Sequence, residues 1–366
     1  MTEFFVDARG LTGLHHQVIR AGQDAEQVAG YARKHGDLTM TAEGYLMIML
    51  GPHAIAYASM IKAVQRLADL AQEAAAQVDA ARRDYARTDQ VVAARLDAGY
   101  AGAEDPGLLY GIIATGRRDL WPAPSRAAFA DVAEPLAELH PPGYATDVAM
   151  WSINPLADLI SPSAWLRQVS VWVFGHDPFG GWAKQFSGDW NAYVRCAVAW
   201  ATIGAACEAI GRNLTAGAAD VAVVWRGNAA EGEQEYQLAL GAAATGLGGA
   251  CIRYHELYLR AAGATKDLYE VVSGLMSRLI DILIVVNAAG AVGTATIETG
   301  VGPVLGYSVA LFYVWQACKL YEEISGFFGT ADTLITALAG SVDAVRAKLA
   351  VDELPRTRPY RHPAGY

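Results

Sequence analysis

Cysteine is scarce in this chain, and that scarcity removes several function classes at once. Four cysteines, Cys196, Cys207, Cys251 and Cys318, lie in apolar helical pattern, with no two at C-x-x-C spacing. That excludes a disulfide scaffold and a zinc ribbon, and leaves buried free thiols as the expectation. Charge is also sparse, at 18% of residues, and its balance is acidic, with a net charge of -10. A general nucleic-acid binder needs the opposite sign, so no nucleic-acid partner is expected. There is no G-x-S-x-G, no H-E-x-x-H, no P-loop and no Cys/His pair at metal-ligand spacing. Gly300-x-Gly302 follows no strand and opens no βαβ unit, so it is not a dinucleotide fingerprint. No catalytic residue, metal or cofactor is expected, and the protein is read as non-enzymatic. The first residues, Met1-Thr2-Glu3-Phe4-Phe5-Val6-Asp7, lack a basic-then-apolar leader. Export, if it occurs, is expected by a route other than the general secretory one.

What the sequence has in quantity is apolar helical periodicity, with 53% hydrophobic residues over 366 positions. An all-α fold of elongated antiparallel hairpins forming a bundle is expected. Leu11, Leu14, Val18, Ala21, Ala25, Val28 and Ala32 make a heptad seam over residues 7–35. His15 and His16 beside it read as satisfied or solvent-facing. Gly36-Asp37 is a helix stop and Gly51-Pro52 a restart. A second seam, Tyr57, Met60, Val64, Leu67, Ala71, Ala74, Val78, Ala81, Tyr85 and Val92, predicts a helix over about 53–98. At 1.5 Å per residue it spans roughly 65–70 Å. Within it Tyr85-Ala86-Arg87-Thr88-Asp89 puts an aromatic ring and a carboxylate at i and i+4, on one helical face. Tyr100 with Glu104 repeats that spacing in a Gly-rich stretch.

Residues 1–98 are thus a first hairpin, and 99–185 a connector cut by nine prolines but rich in tryptophan, expected to be ordered against the bundle. Gly188-Asp189-Trp190 supplies an N-cap and an anchor for the next helix. The hairpin of 186–276 turns at Val224-Trp225-Arg226-Gly227-Asn228. Gly227 can take a left-handed backbone and end one helix, and Asn228 with Glu231 can cap the next. In 277–350, two apolar segments, 279–297 and 301–318, flank a turn at Glu298-Thr299-Gly300-Val301-Gly302-Pro303. Leu279, Asp281, Glu298, Pro303 and Trp315 mark this hairpin. Both segments reach the length of a spanning helix. Two readings stand: a buried pair in a soluble bundle, or a hairpin that enters a membrane, favoured by acid that neutralises Glu298. A last helix is expected over about 327–350, and 351–366 is a basic, Pro-interrupted tail.

The ordered pair of elements, Tyr85-x-x-x-Asp89 with the following Ala93-Ala94-Arg95-Leu96-Asp97 and then Trp225-Arg226-Gly227-Asn228-Ala229-Ala230 at a helical bend, resembles the WXG superfamily of type VII (ESX) secretion substrates of actinobacteria. The single-chain order is that of EspB-like fusions of PE and PPE halves. From Gly188 to about residue 320 the chain is also similar to the N-terminal module of CpnT-type toxins. The resemblance implies a secreted or cell-surface protein whose composite export signal is Tyr85, Asp89, Trp225 and Gly227. It further implies a secretion ATPase or chaperone as partner, with self-association or a WXG-type partner as further possibilities. Two departures accompany it: the connector is long for such a fusion, and no toxin domain is read after residue 350.

Overall fold

Leu11, Leu14, Val18, Ala21, Ala25, Val28 and Ala32 recur at steps of three and four, and each is buried. They line one face of α1, Gly10–His35, whose last turn carries Arg33, Lys34 and His35 where the helix dipole favours cations. The computed structural model describes residues 4–38, 43–100, 102–104, 129–143, 150–152, 154–156, 164–295, 302–346 and 354–356. After α1 come α2, Gly44–Arg87, and α3, Gln90–Asp97, then a 3-10 turn at Pro135–Glu138. Five further α-helices end the order: α4, Ala164–Phe174; α5, Phe179–Gln185; α6, Trp190–Val224; α7, Asn228–Ala295; and α8, Gly302–Arg346. Among the described residues the fold is all-α, apart from one pair of two-residue strands, β1 at Phe5–Val6 and β2 at Trp225–Arg226.

Two expectations about α2 need correction. The helix does not restart at Pro52 but begins at Gly44 and carries Pro52 inside it. An internal proline forfeits one backbone hydrogen bond, but the turns around it are held by packing. Tyr45 lies against Phe186 and Phe328, its hydroxyl donating to the Phe328 carbonyl at 3.3 Å, and Leu46 and Met49 are buried. Nor does α2 reach residue 98. It ends at Arg87, Thr88 turns to extended backbone, and α3 starts afresh with Asp89 as its cap.

The second hairpin is asymmetric. α6 has 35 residues and α7 has 68, about 50 Å against 100 Å. α6 begins as expected, with Asp189 accepting from the Ala192 N–H at 2.9 Å and Trp190 fully buried. Its glycines let the two arms meet at backbone distance. A Cβ on Gly204 would stand 2.9 Å from the Gly248 carbonyl oxygen, and one on Gly211 2.7 Å from that of Gly241. α8 is the other long partner of α7; the Tyr254 hydroxyl, at a level where Trp200 of α6 also packs, donates to the Val342 carbonyl at 3.0 Å. The boundary expected near residue 276 and the break expected before residue 327 are absent, because α7 and α8 each run unbroken through those positions. The first hairpin lies along this frame, α1 on α6 and α2 on α8.

Part of the connector is fixed by polar groups of α6. Asn213 accepts from the Val132 and Ala133 N–H groups at 2.9 Å and donates back to the Ala133 carbonyl at 2.9 Å. Asp220 accepts from the Phe129 N–H at 2.7 Å, and Arg20 on α1 forks onto Asp131. Buried side chains on α6 thus do for this segment what a sheet partner would, satisfying backbone that has no helix.

An aromatic layer crosses the middle of the bundle. Tyr193 stacks on Tyr258 at 4.8 Å, Trp200 leans on Tyr254 at 4.6 Å, and His53 of α2 enters among them. His53 Nδ1 is 2.6 Å from the Tyr258 hydroxyl, and burial holds its imidazole down at about 4. Because the unfolded chain takes up this proton near pH 6.5 and the folded one does not, the His53 contribution is lost as pH falls between those values. Asp24 and Glu233 oppose this. Burial raises them to about 6 and about 7, so the folded state takes their protons first and gains from acid. The comparison that isolates His53 is therefore His53→Phe against the unchanged protein. Between pH 7.5 and 4.5 the difference in unfolding free energy should move by about 2–3 kcal/mol in favour of the variant. Urea midpoints at the two pH values check it, and parallel behaviour would contradict it.

Candidate functional site

The site lies where the ends of both hairpins meet. Trp225 closes α6 in extended backbone, and Gly227 follows at φ +131°, a value that favours glycine. The corner is pinned from outside by the N-terminal residues. Phe5 pairs with Arg226 and Val6 with Trp225 in an antiparallel register, and the Asp7 N–H donates to the Val224 carbonyl at 2.7 Å. Trp225 is left only 3% exposed, so its ring is a packing element and not an outward handle.

Tyr85 reaches this corner from the last turn of α2. Its ring meets Trp225 edge-on, centroids 5.6 Å apart at 69°, and Phe4 covers its other side at 6.1 Å. Tyr85 and Trp225, assigned from separate stretches of sequence, are thus in direct contact. The Tyr85 hydroxyl and the Trp225 indole nitrogen are both buried, and neither is in a formed hydrogen bond. Burial first, then Asp97 and Tyr100, push the hydroxyl's pKa above that of a free tyrosine, and the neighbouring indole N–H pulls the other way.

Asp89 is not part of this contact. Because α2 stops at Arg87, Tyr85 and Asp89 do not share a continuous helical face, which corrects the i, i+4 geometry expected for them. Asp89 is exposed and accepts from the Val91 N–H at 2.9 Å, a local cap for α3.

The carboxylate that joins the halves is Asp97, eight residues on, to which no role was assigned from sequence. It is 5% exposed. Its Oδ2 accepts from the Asn228 N–H at 2.8 Å and its Oδ1 from the Ala229 N–H at 3.0 Å. Asn228 answers by donating from Nδ2 to the Asp97 and Tyr100 carbonyls. The first turn of α7 is therefore capped by the first hairpin, across 131 positions of sequence, and not by an Asn228–Glu231 box of its own. A Cβ on Gly227 would run into the Asp97 carboxylate, so the glycine serves close approach as well as backbone freedom. The second Tyr-x-x-x-Glu match lies alongside, the Glu104 N–H donating to Glu235 at 2.8 Å. The signal for Asp97 was present as an acidic residue ending a short helix, but no local spacing ties it to Asn228.

The outer skin of this corner is apolar with a few charges. Phe5, Val91, Val92 and Val223 are exposed, and the Arg226 guanidinium sits 5.7 Å over the Phe5 ring.

The apolar hairpin residues stand apart from this corner. Leu279 is buried, Asp281 exposed and Trp315 54% exposed, with Lys319 Nζ 4.1 Å above its ring. Pro303 falls in the first turn of α8, where its missing N–H costs nothing. Glu298 and most of the expected turn lie outside the described residues, as does most of the C-terminal tail. Among the described residues no cluster of His, Cys, Asp and Glu could hold a metal, and all four cysteines are free thiols. A cleft of about 470 Å³ between α1 and α2 is lined by His15, Gln72, Asp79 and Arg83 among others. It is open, and His15 is already engaged with the Ala75 carbonyl at 2.9 Å. No family model matches the chain, and no curated protein or solved structure matches it.

Proposed function

We propose that this chain is a non-enzymatic substrate of a type VII secretion system, acting outside the cell or at its surface as a structural or interaction protein. The observation that carries the reading is the ring contact between Tyr85 and Trp225. A composite signal requires its two elements to be presented together, and these two are neighbours at one end of the bundle. Trp225 and Gly227 hold the corner from within. The skin of Phe5, Val91, Val92, Val223 and Arg226 is what a secretion ATPase or chaperone would touch, by the groove contact that apolar helix ends make. Asp89, exposed at the start of α3, lies in that skin and keeps a place in the signal as a surface charge. The long helix faces suit self-association or a WXG-type partner.

The experiment is compartmental. The chain is expressed in a host whose type VII secretion ATPase is either active or inactivated, and cells and medium are assayed separately. Appearance in the medium or on the cell surface only with the active ATPase is the expected result. Equal appearance in both hosts, or retention inside both, would overturn the assignment.

A further inference from the structure

A helix that is apolar on one stripe packs against a neighbour; one that is apolar all round needs a second apolar surrounding. The far end of the α7–α8 hairpin is of the second kind. Its inner seam is closed, with Leu279, Leu283, Val286, Ala310 and Ala317 buried. Apart from the exposed Asn287, its outer face is apolar as well: Ile284 is 48% exposed, Val309 46%, Leu311 69% and Phe312 54%. The most apolar window of α7 is only 33% buried, whereas that of α6, which crosses the core, is 67% buried.

Charge marks where this region begins. The Tyr254–Val342 hydrogen bond fixes the antiparallel register, so Trp315 lies at about the level of Asp281 and Phe312 at about that of Ile284. Toward the bundle from that level stand Arg278, Lys319, Glu322 and Glu323. Away from it, residues 282–314 contain one charge, Glu298. At the boundary an exposed tryptophan carries a lysine ammonium against its ring. Tryptophan with lysine or arginine at the edge of an apolar segment is the composition of a headgroup-level belt, where the ring sits between tails and water and the cation reaches phosphate.

We propose that the far end of this hairpin enters a phospholipid bilayer, with Trp315, Lys319 and Arg278 at headgroup level and Ile284, Val285, Val309, Leu311 and Phe312 among the lipid tails. The inference stands independently of the export reading, since it concerns the purified protein and a different end of the molecule.

The test is flotation of the purified full-length chain with phosphatidylcholine vesicles, at neutral pH and after acidification. Partition at either pH is expected. The double variant Leu311→Ser/Phe312→Ser should lower it by about tenfold or more, with an unchanged melting curve because both side chains are already exposed. Ile284→Ser/Val285→Ser gives the same readout from the other helix. A nitroxide on a lipid headgroup should quench a fluorophore placed at Lys319→Cys, and a nitroxide deep in the tails should quench one placed at Leu311→Cys. Absence of partition at both pH values would overturn the proposal, as would partition that both double variants retain. Neither result would bear on export.

Discussion

Replacing Trp225 by alanine should lower the unfolding free energy by about 3–5 kcal/mol, the usual cost of removing a large ring that the surroundings cannot fill. The ring is 3% exposed and has Tyr85 against it edge-on, so the hole would open at the junction of β1, β2, α2 and the start of α7. The loss should therefore also loosen residues 4–7, whose ladder includes the Trp225 backbone. Urea unfolding of the variant, with hydrogen exchange at the Phe5 and Asp7 amides, which face β2, reads both effects. A midpoint within experimental error of the unchanged protein would mean that the corner is held without the ring.

Asp97→Ala is expected to cost about 2–4 kcal/mol. A charge-assisted hydrogen bond to a buried partner is worth about 1.5–3 kcal/mol, and an N-cap about 0.5–2. Here one buried carboxylate makes two such bonds and serves as the cap of the longest helix. Asp89→Ala removes an exposed cap of an eight-residue helix and should cost about 1 kcal/mol or less. The contrast between the two aspartates is the informative quantity. Equal losses would mean that the first hairpin does not hold the start of α7.

The helical seams could be read from sequence because a core stripe on a helix is a local, periodic property. Leu11 to Ala32 shows it residue for residue, and so do Met60, Val64, Leu67, Ala71, Ala74, Val78 and Ala81, all buried. The corner at Gly227 and the helix start at Asp189–Trp190 were legible for a similar reason, since caps and left-handed turns have short-range chemistry. The end of α2 was not. Val92, Ala93, Ala94 and Leu96 continue a helical composition past Thr88 and Asp89, and the cap inside that run looks like one more polar face position. Pro52 misled in the opposite sense, because the aromatic contacts of Tyr45 come from Phe186 and Phe328, far along the chain. Asp97, Asn213 and Asp220 were missed for the reason common to long-range polar contacts. Each satisfies backbone more than 70 positions away, and nothing in its own neighbourhood marks it.

Where the open end of the first hairpin meets the bend of the second, Tyr85 packed on Trp225 forms the proposed core of an export signal. The most direct measurement compares Tyr85→Ala with the unchanged chain for the fraction that reaches the medium of a host with an active type VII system. The intracellular fraction of each is melted in parallel to show that it is folded. Loss of export from a variant that still unfolds cooperatively is the predicted result; a folded Tyr85→Ala chain exported at the level of the unchanged protein would contradict the claim.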